Sequence, residues 1–195
     1  SMLNGKYVIL GDNLPPVFNP YAMGNCWFVD SFVPAETPDD EIGLLAAADV
    51  TSEAVIGMDF KDAIDNFPIT DSSSVDEIGL TYYAPNELRY SYSTEQKRAA
   101  IFSEVYYPKG WKAWIEPAGT YGKVTKGHYV PTEKAQPVDI FRANWILRGV
   151  MIPEGNGELI MRFEPDSYQI GEDISRASSI TLIFLLLLSA AGIVL

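Results

Sequence analysis

The sequence predicts a mainly β chain, an antiparallel β-sandwich with one short helix in its N-terminal half, followed by an apolar C-terminal helix. Three observations carry this. Apolar residues recur at alternate positions in several short runs between Glu53 and Phe163. Gly, Pro, Asn and Asp clusters separate those runs at the spacing of a sandwich. Arg176 is the last charge, so everything from Ala177 to Leu195 is uncharged.

The elements follow in order. Lys6 to Leu10 reads as a short strand, ended by Gly11-Asp12-Asn13 and Pro15-Pro16. Extended character resumes at Trp27-Phe28-Val29. Thr37 is an N-cap candidate with Pro38 at the first helical position and acids behind it, leading into Ile42, Leu44, Leu45 and Ala48. Beyond Glu53, Ala54, Ile56, Met58 and Phe60 alternate with their neighbours, as do Leu88, Tyr90 and Tyr92, and then Leu159, Met161 and Phe163. These are half-buried strands. Further strands are expected at Ile78 to Tyr83, Ala99 to Tyr106, Lys112 to Glu116 and Asp139 to Ile152. Pro117 to Pro137, with Lys123, Lys126, Lys134 and the only histidine, breaks the pattern. It reads as a long loop or flap, with a small hairpin through Gly122 and Gly127.

The 195 residues are 47% hydrophobic, enough for a core, and carry 26 acidic against 14 basic residues for a net charge of −12. That charge repels phosphate backbones, which argues against nucleic-acid binding. The uncharged run at 177–195 would form a helix about 28 Å long, near the hydrocarbon thickness of a bilayer. A transmembrane helix there and an extracytoplasmic domain over 1–176 are expected; a buried C-terminal helix is the alternative. The acidic flank favours placing the domain outside.

Chemistry is sparse. His128 sits in a Gly/Lys loop and Cys26 in an aromatic strand, so neither has the partners of a nucleophilic triad. No zinc spacing, phosphate loop or calcium loop is present, and Asp39-Asp40-Glu41 reads as a helix N-terminus. No catalytic residue, metal ligand or cofactor is nominated. Paired carboxylates for glycoside hydrolysis cannot be picked out of the acids by sequence.

Aromatic residues say more. Alternation through Gly110 to Glu116 puts Trp111, Ala113 and Ile115 on one face and Lys112, Trp114 and Glu116 on the other. A Trp among polar neighbours is a platform for a sugar ring, unless it packs beneath the 117–137 loop. Over Asp139 to Ile152, Phe141, Ala143, Trp145 and Leu147 would be core, leaving Arg142, Asn144, Ile146 and Arg148 opposite. Trp114, Arg142, Asn144 and Arg148 are therefore the candidate ligand-binding residues. Cross-strand pairing of the arginines with Glu104, Glu116 or Glu158 is the structural alternative.

Several blocks are also familiar as a set. Leu3-Asn4-Gly5-Lys6-Tyr7-Val8-Ile9, Asn19 to Val29, Ser103 to Glu116, Phe141 to Arg148 and Val150 to Gly155 resemble, in the same order, the C-terminal extracytoplasmic region of the YfhO family of bacterial membrane proteins. The likeness covers nearly the whole chain. Family members usually have Ala at the place of Cys26 and an Asp-Gly turn at Glu116-Pro117, with a shorter connection after it. The resemblance implies a polytopic protein in the bacterial cytoplasmic membrane, similar to lipid-linked-sugar glycosyltransferases, whose active site lies in segments absent here. This chain would be its non-catalytic accessory domain on the extracytoplasmic side. Its partners would be the upstream transmembrane region of the same polypeptide, the membrane through the C-terminal helix, and an envelope glycan. A purely structural domain bracing the membrane bundle is the second expectation, and an independent envelope glycoside hydrolase the third.

Overall fold

The computed structural model describes residues 1–64, 67, 75–120, 122–125 and 128–193. Tyr121, Lys126 and Gly127 of the expected flap, and residues 194–195 of the expected transmembrane helix, lie outside the described residues. The strands are β1 (Tyr7–Val8), β2 (Val17–Phe18), β3 (Cys26–Val29), β4 (Ser31–Ala35), β5 (Glu53–Gly57), β6 (Glu77–Ala84), β7 (Glu87–Thr94) and β8 (Arg98–Val105). They continue with β9 (Trp111–Pro117), β10 (Lys123–Thr125), β11 (His128–Val130), β12 (Gln136–Val138), β13 (Ile140–Ala143), β14 (Leu147–Ile152) and β15 (Gly155–Phe163). Helix α1 spans Pro38–Ala47, a 3₁₀ helix Met58–Ile64 and helix α2 Asp166–Ile193.

The chain is mainly β and its two large sheets are antiparallel. A five-stranded sheet in the order β12-β9-β15-β7-β6 faces a four-stranded sheet in the order β13-β14-β8-β3. Leu88, Tyr90 and Tyr92 of β7, Ala113 and Ile115 of β9, and Leu159 and Met161 of β15 meet Ala100, Phe102, Val150 and Ile152 from the opposite sheet. On the five-stranded sheet those are the alternate positions read from the sequence, because only one face of each strand can enter the shared core. Pro137 is tolerated in β12 because that strand lies at a sheet edge, where a missing N–H costs no ladder bond.

The outer face of the four-stranded sheet is covered by a β4-α1-β5 unit. Thr37 caps α1, its hydroxyl accepting from the Asp40 amide while the Asp40 carboxylate accepts from Thr37 N–H. Strands β4 and β5 pair in parallel, and Ala54 and Ile56 pack with Phe141, Ala143, Ala99 and Ile101. Here the structure departs from a purely antiparallel, half-buried reading. Ala54, Val55 and Ile56 are all buried, so β5 has no solvent face, and a 3₁₀ helix replaces the expected strand from Met58.

The 139–152 segment is also two strands rather than one. The chain reverses at Asn144-Trp145-Ile146, where Asn144 (φ 48°) and Trp145 (φ 72°) take left-handed conformations, and β13 pairs back on β14. The expected flap contains the expected hairpin, β10 with β11, and then joins β12.

Helix α2 starts at Asp166, well before Ala177, and carries Glu172, Asp173 and Arg176. Among the described residues no helix is long and apolar enough to cross a membrane. The membrane-spanning helix expected over 177–195 is thus not supported at that level: one continuous rod joins a charged half to an apolar half. Ile180 and Leu182 to Leu188 are all more than half exposed.

Candidate functional site

Between β12 and β13 the chain leaves the five-stranded sheet and enters the other one, passing through Asp139. Strand β12 covers only Ala113 to Ile115 of β9, so the start of β9 is left open at that edge. A cleft of about 400 Å³ lies there. Tyr106, Tyr107, Trp111 and Trp114 line it, with Lys112 and Asp139 as its charged groups.

The aromatic rings are held from behind. Gly110 (φ +94°) makes the turn into β9, and a Cβ there would press on Phe163 and Pro165. The Trp111 ring packs on Phe163 at 5.5 Å, and the Arg148 guanidinium lies 3.8 Å from its centroid on another side. Tyr107, 53% exposed, packs on Phe163 at 6.3 Å. Trp114, across the strand from Trp111, is half-buried with Pro137 and Ile160 as its neighbours in register.

Arg148 itself points between the sheets, in phase with Val150 and Ile152. Its Nε donates to the Val105 carbonyl at 3.0 Å. Burial lowers its basicity, and the neighbouring Glu104 carboxylate works against that shift. Burial raises the Glu104 carboxyl in turn, while Arg148 pulls it down. Tyr90 is pushed up by burial and by Glu104.

Arg142 and Asn144 belong to a different cluster. In register Arg142 sits directly opposite Arg148. Like charges opposite one another destabilise a sheet, and here the two side chains diverge. Arg142 reaches the buried Glu41 at 3.1 Å and donates to the Trp145 carbonyl at 2.7 Å. Asn144 is buried, its N–H donating to the Val55 carbonyl and its Oδ1 accepting from the Val55 N–H, each at 2.8 Å. The structure therefore brings Trp114 to the cleft and Arg148 behind it, and places Arg142 on Glu41 and the Trp145 carbonyl and Asn144, through its Oδ1 and backbone, on Val55, away from the cleft.

No protein-family model, curated protein or solved structure matches this chain. The cleft is read from its own geometry. A larger cleft of about 960 Å³ opens between β3 and β6, where Arg98 is engaged within the protein, meeting Asp30 at 2.7 Å and Asp76 at 2.9 Å. Three buried carboxylates are likewise engaged. Glu41 holds Arg142; Glu87 holds Arg89 and the Tyr129 amide; Glu116 holds Thr132 and Thr120. None of the three lines the aromatic cleft. Among the described residues no group of His, Cys, Asp and Glu has a metal-binding arrangement.

Sequence reasoning missed Tyr107 and Asp139 as cleft residues. The pair Tyr106-Tyr107 ahead of Pro108 and Gly110 is a local signal, since two aromatics beside a turn cannot both enter the core. Asp139 has no such signal, because its position follows from the change of sheet.

Proposed function

We propose that this chain is a non-catalytic, glycan-binding accessory domain of a polytopic bacterial membrane protein of the YfhO type, on the extracytoplasmic side of the cytoplasmic membrane. The observation that carries the reading is the aromatic cleft at the edge of β9. Flat rings flanked by a cation and a carboxylate stack on the apolar face of a sugar and hydrogen-bond its hydroxyls. The ordered resemblance of the sequence blocks supports the parent. The uncharged run at 177–195 supports the anchor, with residues 177–193 continuing the helix that starts beside the cleft, where Asp166 lies 3.4 Å from Lys112. The parent would be similar to lipid-linked-sugar glycosyltransferases, with its chemistry in upstream segments.

Trp114→Ala and Tyr107→Ala are expected to weaken binding of envelope-derived oligosaccharides, measured on an array and by calorimetry, while the thermal midpoint hardly moves. A wild-type chain that binds no such glycan, or variants that bind as well as wild type, would overturn the reading. A bracing domain is the second reading, favoured by the Glu41–Arg142 and Asn144–Val55 bonds, which consume two of the four candidate ligand residues. It expects Trp114→Ala to lower stability and change no glycan affinity.

A further inference from the structure

We infer that the N-terminal β-hairpin is a membrane-docking element that lies in the interface of the bilayer. This rests on the reading of the C-terminal run as a membrane anchor. Strands β1 and β2 pair through Tyr7 with Phe18 and Val8 with Val17, and the Tyr7 and Phe18 rings meet edge to face at 5.9 Å. The two strands are paired, yet their apolar side chains are not spent on the domain. Tyr7, Ile9, Leu10, Leu14, Phe18 and Tyr21 are each 58–79% exposed. A contiguous apolar patch of this kind marks a surface that is covered in use.

Position and charge select the bilayer as its cover. The root of the hairpin is tied to the end of β8, where Ser103 Oγ donates to the carbonyls of Met2 and Gly24 and Ser103 N–H to that of Asn25. That end of β8 leads through Tyr106 and Tyr107 into β9, and Glu164, two residues before α2, donates its N–H to the Gly110 carbonyl in the same connection. Hairpin and apolar helix therefore leave from one end of the sandwich. The exposed Tyr83, Val105 and Tyr107 share that end. Lys6 and Asp12 are the only charges in the first 29 residues of a chain with net charge −12. The charge that would repel lipid headgroups is thus kept off this segment, and tyrosine with aliphatic residues is the composition of a membrane interface.

The test uses the full chain reconstituted in phosphatidylcholine vesicles with a polarity-sensitive dye on one introduced cysteine. The native Cys26, which lines the cleft between β3 and β6, is replaced by Ala in every labelled variant, so that the dye reports the introduced position alone. Dye at Leu10→Cys is expected to shift to the blue and lose most of its emission to lipids spin-labelled near the headgroup. Dye at Lys97→Cys, at the far end of β7 and β8, is expected to keep its emission. Dye at Leu186→Cys reports the anchor separately, through quenching by lipids labelled deep in the chains. Quenching at 186 without quenching at 10 overturns the hairpin proposal and leaves the anchor standing; no quenching at either removes both. A pyrene at position 10 that forms excimers in proportion to protein concentration, without lipid, would assign the patch to a second copy instead and overturn the proposal.

Discussion

Glu41 is 1% exposed, and it meets Arg142 Nη1 at 3.1 Å and accepts from the Trp145 N–H at 2.9 Å. In the sequence it is the third of three consecutive acids at a helix start, and nothing local separates it from the exposed Asp39 and Asp40. The helix turn aims it at the reversal between β13 and β14, where the left-handed Trp145 presents an amide that no strand can bond. Arg142→Ala would leave this carboxylate buried and without its cation, and is expected to cost about 3 kcal/mol in urea unfolding. That is well above the fraction of a kcal/mol typical of an exposed cross-strand pair. Glycan affinity is expected to stay unchanged. A double-mutant cycle with Glu41→Gln should show coupling between the two sites, and additive effects would refute this account.

At the level of elements, the β10–β11 hairpin lies over the outer face of the five-stranded sheet and is latched there by carboxylates. Glu116 accepts from the Thr132 amide at 2.6 Å, from the Thr132 hydroxyl at 2.7 Å and from the Thr120 hydroxyl at 3.1 Å. Glu87 accepts from the Tyr129 amide at 3.0 Å, and the Arg89 guanidinium lies 4.7 Å from the Tyr129 ring. Burial pushes the Glu116 carboxyl up, but the Thr132, Tyr129 and Thr120 hydrogen bonds outweigh it and hold the group below its ordinary 4.5. A depressed carboxylate stabilises the fold fully above its unfolded value, and that contribution is lost as pH falls through the folded one. The wild-type thermal midpoint is therefore expected to fall more steeply below pH 4.5 than that of Glu116→Gln, which starts lower at neutral pH. Parallel curves would refute the latch.

For the whole molecule, the core closes before α2 begins. The helix meets the domain at its root, where Lys112 pairs with Asp166, and its apolar half is exposed throughout the described side chains. Truncation after Arg176 is expected to leave one cooperative thermal transition with less dependence on detergent. Loss of that transition would show that the 177–195 run is part of the core. The aromatic cleft, the hairpin and the helix root share one end of the sandwich, so on the proposed readings a glycan bound in the cleft would be held beside the membrane surface that the hairpin meets.

Periodicity by itself determined most of the β architecture. Leu88, Tyr90 and Tyr92, or Leu159 and Met161, point one way in any extended chain, and burying that face requires a second sheet. Capping likewise determined α1 from Thr37 and Pro38, and Trp111 and Trp114 were separable by strand parity alone. What lay beyond the sequence were the contacts between distant segments. Asn144 completes an edge for Val55, 89 residues away, and so the chain turns where alternation alone would continue. Arg142 and Arg148 share a parity in the sequence but part company in the fold, because the reversal sets them opposite each other, and Arg142 goes to the buried Glu41 while Arg148 goes to the Val105 carbonyl and the Trp111 ring. The cleft exists because two sheets part where the chain changes between them, which only the tertiary structure decided.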